Sequence, residues 1–64
     1  MITFTMADGY NGHTVIVDAD KIIEIDLRNS LYRLPVVNHT YHTRWIRIDE
    51  YNKRYAAAKA ANNV

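Results

Sequence analysis

The chain has 64 residues, a length that supports one domain and leaves little room for a deep catalytic pocket. Hydrophobic residues make up 48% and charged residues 23%, which is typical of a globular domain and argues against a disordered or collagen-like chain. The formal net charge is +1 and cysteine is absent, which excludes disulfides, thiol chemistry and cysteine-ligated zinc and predicts an intracellular, cytoplasmic protein.

The first three quarters of the chain alternate apolar and polar residues with period two, which predicts β-strands. Ile2, Phe4 and Met6 alternate with threonines, and Gly9 and Gly12 then predict a hairpin loop before the next strand. Similar patterns recur along the chain. We expect strands at about 2–7, 13–18, 21–28, 31–36 and 41–48, followed by a helix at about 50–62.

The third predicted strand has the strictest alternation. The two residues Asn29 and Ser30 separate it from the fourth strand at the spacing of a tight hairpin, which pairs Arg28 with Leu31. Its predicted core face consists of Ile23, Ile25 and Leu27.

The period changes from two to that of a helix after the fifth strand. Asp49 is a predicted helix cap, and the alanines that follow have high helix propensity. Tyr51, Tyr55 and Ala58 form a narrow apolar stripe that would dock on a sheet. The sequence therefore predicts an α+β domain, with a meander of four or five antiparallel strands and one C-terminal helix packed on the sheet.

Three features of the first half occur together: the opening Met1-Ile2-x-x-Thr5, the turn Asp8-Gly9 and the segment Val17-Asp18-Ala19-Asp20-Lys21-Ile22-Ile23-Glu24-Ile25. In this combination the chain resembles the small FlbD-like proteins associated with flagellar operons, over about 27 of the 64 positions. The resemblance implies a similar length and a last strand that runs into a helix. The second hairpin of this chain departs from the family pattern, because Asn29-Ser30 replaces the expected glycine turn. No functional residue is carried over from the family.

Two groups of residues are candidates for metal or acid-base chemistry. His39 and His42 are spaced like two ligands of a metal ion. Zinc requires a third protein ligand of fixed geometry, however, and the remaining histidine, His13, is distant in sequence. The second group consists of four carboxylates that follow one another along the predicted strands instead of converging on one point, which favours a solvated sheet face over a cation or acid-base site. These residues are Asp18, Asp20, Glu24 and Asp26. The chain also lacks a nucleophile elbow and a phosphate loop. We therefore predict a non-enzymatic protein without catalytic residues, a metal or a cofactor.

Aromatic residues and arginines are interleaved on and near the fifth predicted strand. These types are enriched at the energetic centres of protein interfaces, so we expect them to bind a protein partner. One alternative is a single-stranded nucleic-acid module that stacks bases on aromatic side chains; another is that the helix or the sheet buries the aromatics. The candidate partner-binding residues are Trp45, Tyr41, Arg44, Arg47, Tyr32 and Arg33.

The resulting functional hypothesis is a small accessory or regulatory protein that occupies a surface of a larger protein, such as a phage-type inhibitor of a host machine. An exposed strand edge also makes a homodimer an option. The near-balanced charge makes nucleic acid the second choice. No segment has the pattern of a signal peptide or approaches the about 20 apolar residues of a membrane span, so we expect no membrane partner.

Overall fold

A computed structural model describes residues 1–7 and 12–62 of the chain. In these residues the chain forms five strands and then one helix, which confirms the α+β architecture predicted from the sequence. The elements are β1 (Thr3–Ala7), β2 (Thr14–Asp18), β3 (Glu24–Asp26), β4 (Leu31–Val36), β5 (His39–Arg47) and α1 (Ile48–Asn62). The hairpin loop predicted from Gly9 and Gly12 lies mostly outside the described residues.

Strand β4 is the centre of the antiparallel sheet. It pairs with β5 along one edge, and its other edge pairs with β3 and, through Val36 and Val17, with β2. The order along the sheet is β1-β2-β4-β3, with β5 on the remaining side of β4. Neighbours in sequence are therefore not always neighbours in the sheet, since β2 and β3 share one edge of β4 rather than pairing with each other.

Helix α1 follows β5 without a connecting loop. Its first residue, Ile48, donates its backbone N–H to the carbonyl of Ser30 at 2.9 Å. The helix thus begins two residues before the predicted start. Asp49 lies inside the first turn instead of preceding it, and its Oδ1 accepts a hydrogen bond from the Glu50 N–H at 2.8 Å. Acidic side chains at this end stabilise the helix through its dipole.

Tyr51 anchors the helix on the sheet. Its ring lies edge-on to that of Tyr32, with centroids 4.9 Å apart, and its hydroxyl donates to the Ala19 carbonyl at 2.6 Å. The Tyr55 hydroxyl, one turn further on, donates to Asp20 Oδ1 at 3.1 Å. Two residues of the predicted apolar stripe, Tyr51 and Tyr55, are thus confirmed in contact with the sheet side of the core. The buried core consists of Val17, Ala19, Leu34, Val36, Ile46 and Tyr51.

The hairpin between β3 and β4 differs from its predicted form. Asp26, not Arg28, pairs with Leu31, so four residues rather than two form the loop. The cause is local, because Asp26 accepts hydrogen bonds from the Asn29 backbone N–H at 3.1 Å and from its side-chain amide at 2.9 Å. Side-chain acceptors of this kind close turns. The strand predicted at 21–28 is accordingly shortened to Glu24–Asp26.

The predicted core face of the third strand is wrong. Ile23, Ile25 and Leu27 are 50, 55 and 79% exposed. Ile25 does lie on the helix side of the sheet, opposite Tyr32. Helix α1, however, packs mainly on β1, β4 and β5, so it leaves the β3 side of the sheet uncovered.

The strand predicted at 41–48 begins two residues earlier, at His39. Asn38 adopts the left-handed conformation, with φ of 68°, and so permits a tight turn after β4. The register between β4 and β5 shifts near Pro35 and Val36, which makes the first part of β5 irregular. The connection predicted at 37–40 is therefore shorter than the sequence suggested.

Replacing Tyr51 with phenylalanine tests the anchor. Loss of the hydroxyl leaves the Ala19 carbonyl without this partner, so we expect Tyr51→Phe to lower the free energy of unfolding by about 1 kcal/mol. Burial raises the pKa of the Tyr51 hydroxyl in the folded protein. The unfolded chain therefore loses the hydroxyl proton at a lower pH than the folded protein does, and the free energy of unfolding falls as pH rises past about 10. The variant should lose less stability in that alkaline range.

Chemical denaturation near neutral pH and at alkaline pH measures both effects. Tyr41→Phe is the matched control, because this hydroxyl belongs to a side chain that is 98% exposed. If both variants unfold at the same denaturant concentration as the wild type, the Tyr51 hydroxyl does not contribute to the anchor.

Candidate functional site

The sheet has one face covered by the helix and one face that the helix does not cover. Directly paired residues of adjacent strands share a face, and successive residues alternate between faces. The buried residues Leu34 and Ile46 therefore define the covered face, and their sequence neighbours define the other. We call the uncovered surface the open face; its central residues are Glu24, Leu31, Arg33, Pro35, Thr43, Trp45 and Arg47.

Trp45 lies on the open face, paired with Arg33 of β4. Its side chain is 43% exposed, whereas the next residue, Ile46, is 5% exposed. Alternation along β5 thus separates a surface indole from a core isoleucine. The alternative that the helix packs over the tryptophan is wrong, because the helix lies on the opposite face.

Arg33 is fixed in position by its neighbours on either side. Its Nε donates to Thr43 Oγ1 at 2.8 Å, and Nη1 donates to Glu24 Oε1 at 3.2 Å. These contacts join β3, β4 and β5 across the open face. An ion pair at the surface contributes at most about 1 kcal/mol to stability. Its main consequence is to hold the guanidinium next to the Trp45 position.

Two further predicted residues are exposed at the surface. Arg47 follows Trp45 on the open face, and its Nη2 donates to Asp49 Oδ2 at 3.3 Å, at the point where β5 becomes the helix. Tyr41 lies in the irregular first part of β5 and is almost fully exposed. It has the solvent access that partner binding requires.

The remaining two predicted residues do not belong to this surface. Tyr32 faces the helix and packs against Tyr51, so it is a partly buried residue beside the core and lies on the face opposite to Trp45. Arg44 pairs with Leu34 on the covered face, is half-buried, and donates from Nη1 to the Thr43 carbonyl at 2.8 Å. Alternation with Ile46 already assigns Arg44 to the covered face. Of the six predicted residues, the structure thus brings Trp45, Arg33 and Arg47 together.

Sequence reasoning missed the residues that hold Arg33. A tight hairpin predicts Asp26 as the partner across from Arg33, but the two-residue register difference places Glu24 there. Thr43 was not recognised as a hydrogen-bond acceptor, although its spacing from Trp45 assigns both to one face. Asp26 instead closes the turn, and the hydrogen bonds from Asn29 hold the pKa of its carboxyl below the ordinary value.

The two histidines of β5 lie away from the open face. The rings of His39 and His42 have centroids 5.9 Å apart and line a shallow cavity of about 240 Å³ together with Val15, Val36 and Arg44. Within residues 1–7 and 12–62, no cluster of three or more side chains could ligate a metal ion. This cavity therefore offers no metal centre in the described part of the chain.

Comparison with protein-family models, curated proteins and solved structures found no match to this chain. The resemblance to FlbD-like proteins therefore stays a prediction. Among the described residues, no helix is both long and apolar enough to cross a membrane.

Truncating adjacent residues of β5 tests the assignment of the two faces. We expect Trp45→Ala to lower the free energy of unfolding by no more than about 2 kcal/mol, because its indole is only half-buried. Ile46→Ala should cost about 2 to 5 kcal/mol, because it leaves a cavity in the core. Denaturant titrations followed by circular dichroism measure both. If Trp45→Ala unfolds the domain, the tryptophan is structural and the open face loses its central residue.

Proposed function

We propose that this protein is a non-enzymatic accessory or regulatory protein that binds a larger protein through the open face. The observation that carries the proposal is the half-exposed indole of Trp45 beside an arginine that hydrogen bonds hold in place. Tryptophan and arginine are the residues that most often dominate the binding energy of protein interfaces. Among the described residues, Trp45 and Arg33 form such a pair on adjacent strands of the open face.

Rigidity of the sheet favours binding. A side chain that is already ordered loses less conformational entropy on association, and Arg33 is held by partners on β3 and β5. Trp45 lies on β5, and the hydrogen bonds between β5 and β4 hold the backbone of this strand in place. The open face is therefore preorganised for a partner.

The size of the molecule fits a standard interface. Its principal dimensions are 32, 28 and 20 Å, so a broad face of this molecule approaches the about 800 Å² that each partner contributes to a typical specific complex. A chain of this size can occupy most of one docking site on a larger protein. Occupation of a site is sufficient for inhibition or regulation, and a phage-type inhibitor of a host machine remains the specific form of this proposal.

A single-stranded nucleic-acid module is the second candidate, because Trp45 lies on a sheet with Arg33 and Arg47 on the same face. Charge argues for the protein partner. Both arginines are already paired with carboxylates, Arg33 with Glu24 and Arg47 with Asp49. These carboxylates repel phosphates and weaken the arginines as phosphate ligands.

Affinity capture tests the protein-binding function. We expect the tagged wild-type chain to retain a specific protein from lysate, Trp45→Ala to lose it and Trp45→Phe to recover part of it, since an aromatic ring restores some contact area. Arg47→Ala should weaken capture, whereas Lys53→Ala, which removes one positive charge from the exposed side of α1, is the matched control. Equal capture by the wild type and Trp45→Ala would rule out the open face as the binding surface.

Fluorescence separates the two candidates, because Trp45 is the sole tryptophan of the chain. Under the protein-binding proposal, single-stranded oligonucleotides should leave its emission unchanged at physiological salt. Quenching that weakens steeply as salt rises, with loss of binding in both Arg33→Ala and Arg47→Ala, would instead favour nucleic acid.

A further inference from the structure

Exposed apolar side chains concentrate in one short segment around β3. Ile22, Ile23, Ile25 and Leu27 are all exposed, although they lie within six consecutive residues. Helix α1 packs mainly elsewhere on the sheet and leaves this side open. Exposed apolar side chains that are clustered in one segment mark interaction sites more often than isolated ones do.

The same segment is an edge of the sheet. Strand β3 pairs with β4 on one side, and no other strand of residues 1–7 and 12–62 pairs with its outer side. Its ends are held, since the Ile23 N–H donates to the Arg33 carbonyl at 2.9 Å and Asp26 closes the turn to β4. An ordered edge strand is a template to which a strand of another protein can add through main-chain hydrogen bonds.

A second copy of this chain is a poor occupant of that edge. An antiparallel pair of β3 strands that keeps Ile25 of both copies on the same face places carboxylates opposite each other, either Glu24 with Asp26 or one residue with itself. Like charges directly opposite destabilise a strand pair. A parallel pair related by a two-fold axis instead puts the apolar face of one copy beside the acidic face of the other.

The charge pattern indicates what would fit. On the open-face side of β3, Glu24 and Asp26 present two carboxylates; on the other side lies Ile25. We propose that the outer edge of β3 binds an extended segment of the partner protein in which apolar residues alternate with lysine or arginine. The proposal rests on the protein-binding function above and names the chemistry of the partner. Glu24 also pairs with Arg33, so this edge is continuous with the open face.

Synthetic peptides test the proposal on the full chain. The probe is a seven-residue peptide of the sequence Thr-Lys-Val-Lys-Val-Lys-Thr with blocked ends, titrated into isotope-labelled protein up to about 2 mM. We expect chemical-shift changes at residues 23–26 and slower hydrogen exchange at those β3 amides that point away from β4. A peptide with glutamate in place of lysine, and one with the same composition but the lysines grouped together, should both bind more weakly.

Matched variants identify the groups that recognise the peptide. Glu24→Gln should weaken binding about two- to fivefold, as expected for one exposed charge pair. Glu50→Gln is the control, because Glu50 also pairs with an arginine but lies on α1. Ile25→Lys should abolish binding, because it places a charge beside the apolar residues of the added strand.

Several results would overturn the proposal: no shifts at residues 23–26 over the whole titration, shifts confined to other residues, or equal binding of the glutamate peptide. A concentration-dependent dimer with protected β3 amides would make a second copy the occupant. The two proposals fail separately. Loss of partner capture in Trp45→Ala without any peptide binding leaves the open face and removes the β3 edge, and the reverse pattern removes the open face.

Discussion

The contact between Tyr51 and the sheet is the interaction on which the rest of the structure depends. Residues 1–7 and 12–62 form one helix and one sheet, so this helix can cover one sheet face only, and Tyr51 packs on the face that is covered. Its ring packs on Tyr32 and Phe4, and its hydroxyl reaches the Ala19 carbonyl at the end of β2. The aromatic ring supplies the buried area, and the hydrogen bond fixes the position of the helix across the sheet.

The two proposed binding surfaces are consequences of that one-sided docking. Trp45 stays accessible because the helix lies on the opposite face of β5. Ile25 is on the helix side, but it stays accessible because the helix crosses β4 toward β1 and away from β3. A domain of this size has too few elements to cover both faces and every edge. Apolar groups left over in this way are available for binding.

Strand β4 links the core to the surface. Its buried residue Leu34 lies between Arg33 and Pro35, both of which face the open side. Through Arg33, the same strand connects Glu24 of β3 with Thr43 of β5. The open face and the hydrophobic core therefore share one backbone.

The sequence by itself determined the α+β class, the order of the strands along the chain, the Tyr51 and Tyr55 stripe and the separation of Trp45 from Ile46, because alternation and helical spacing are local properties of the chain. The register of the hairpin between β3 and β4 also has a local cause, which the alternation pattern does not show: Asn29 donates hydrogen bonds to Asp26 and lengthens the turn, so Glu24 rather than Asp26 pairs with Arg33. Only the tertiary structure decided that Tyr32 packs against Tyr51 of the helix while Ile25 is exposed, although the two are directly paired on one face. Periodicity assigns residues to a face, but where a helix crosses that face depends on contacts between residues distant in sequence.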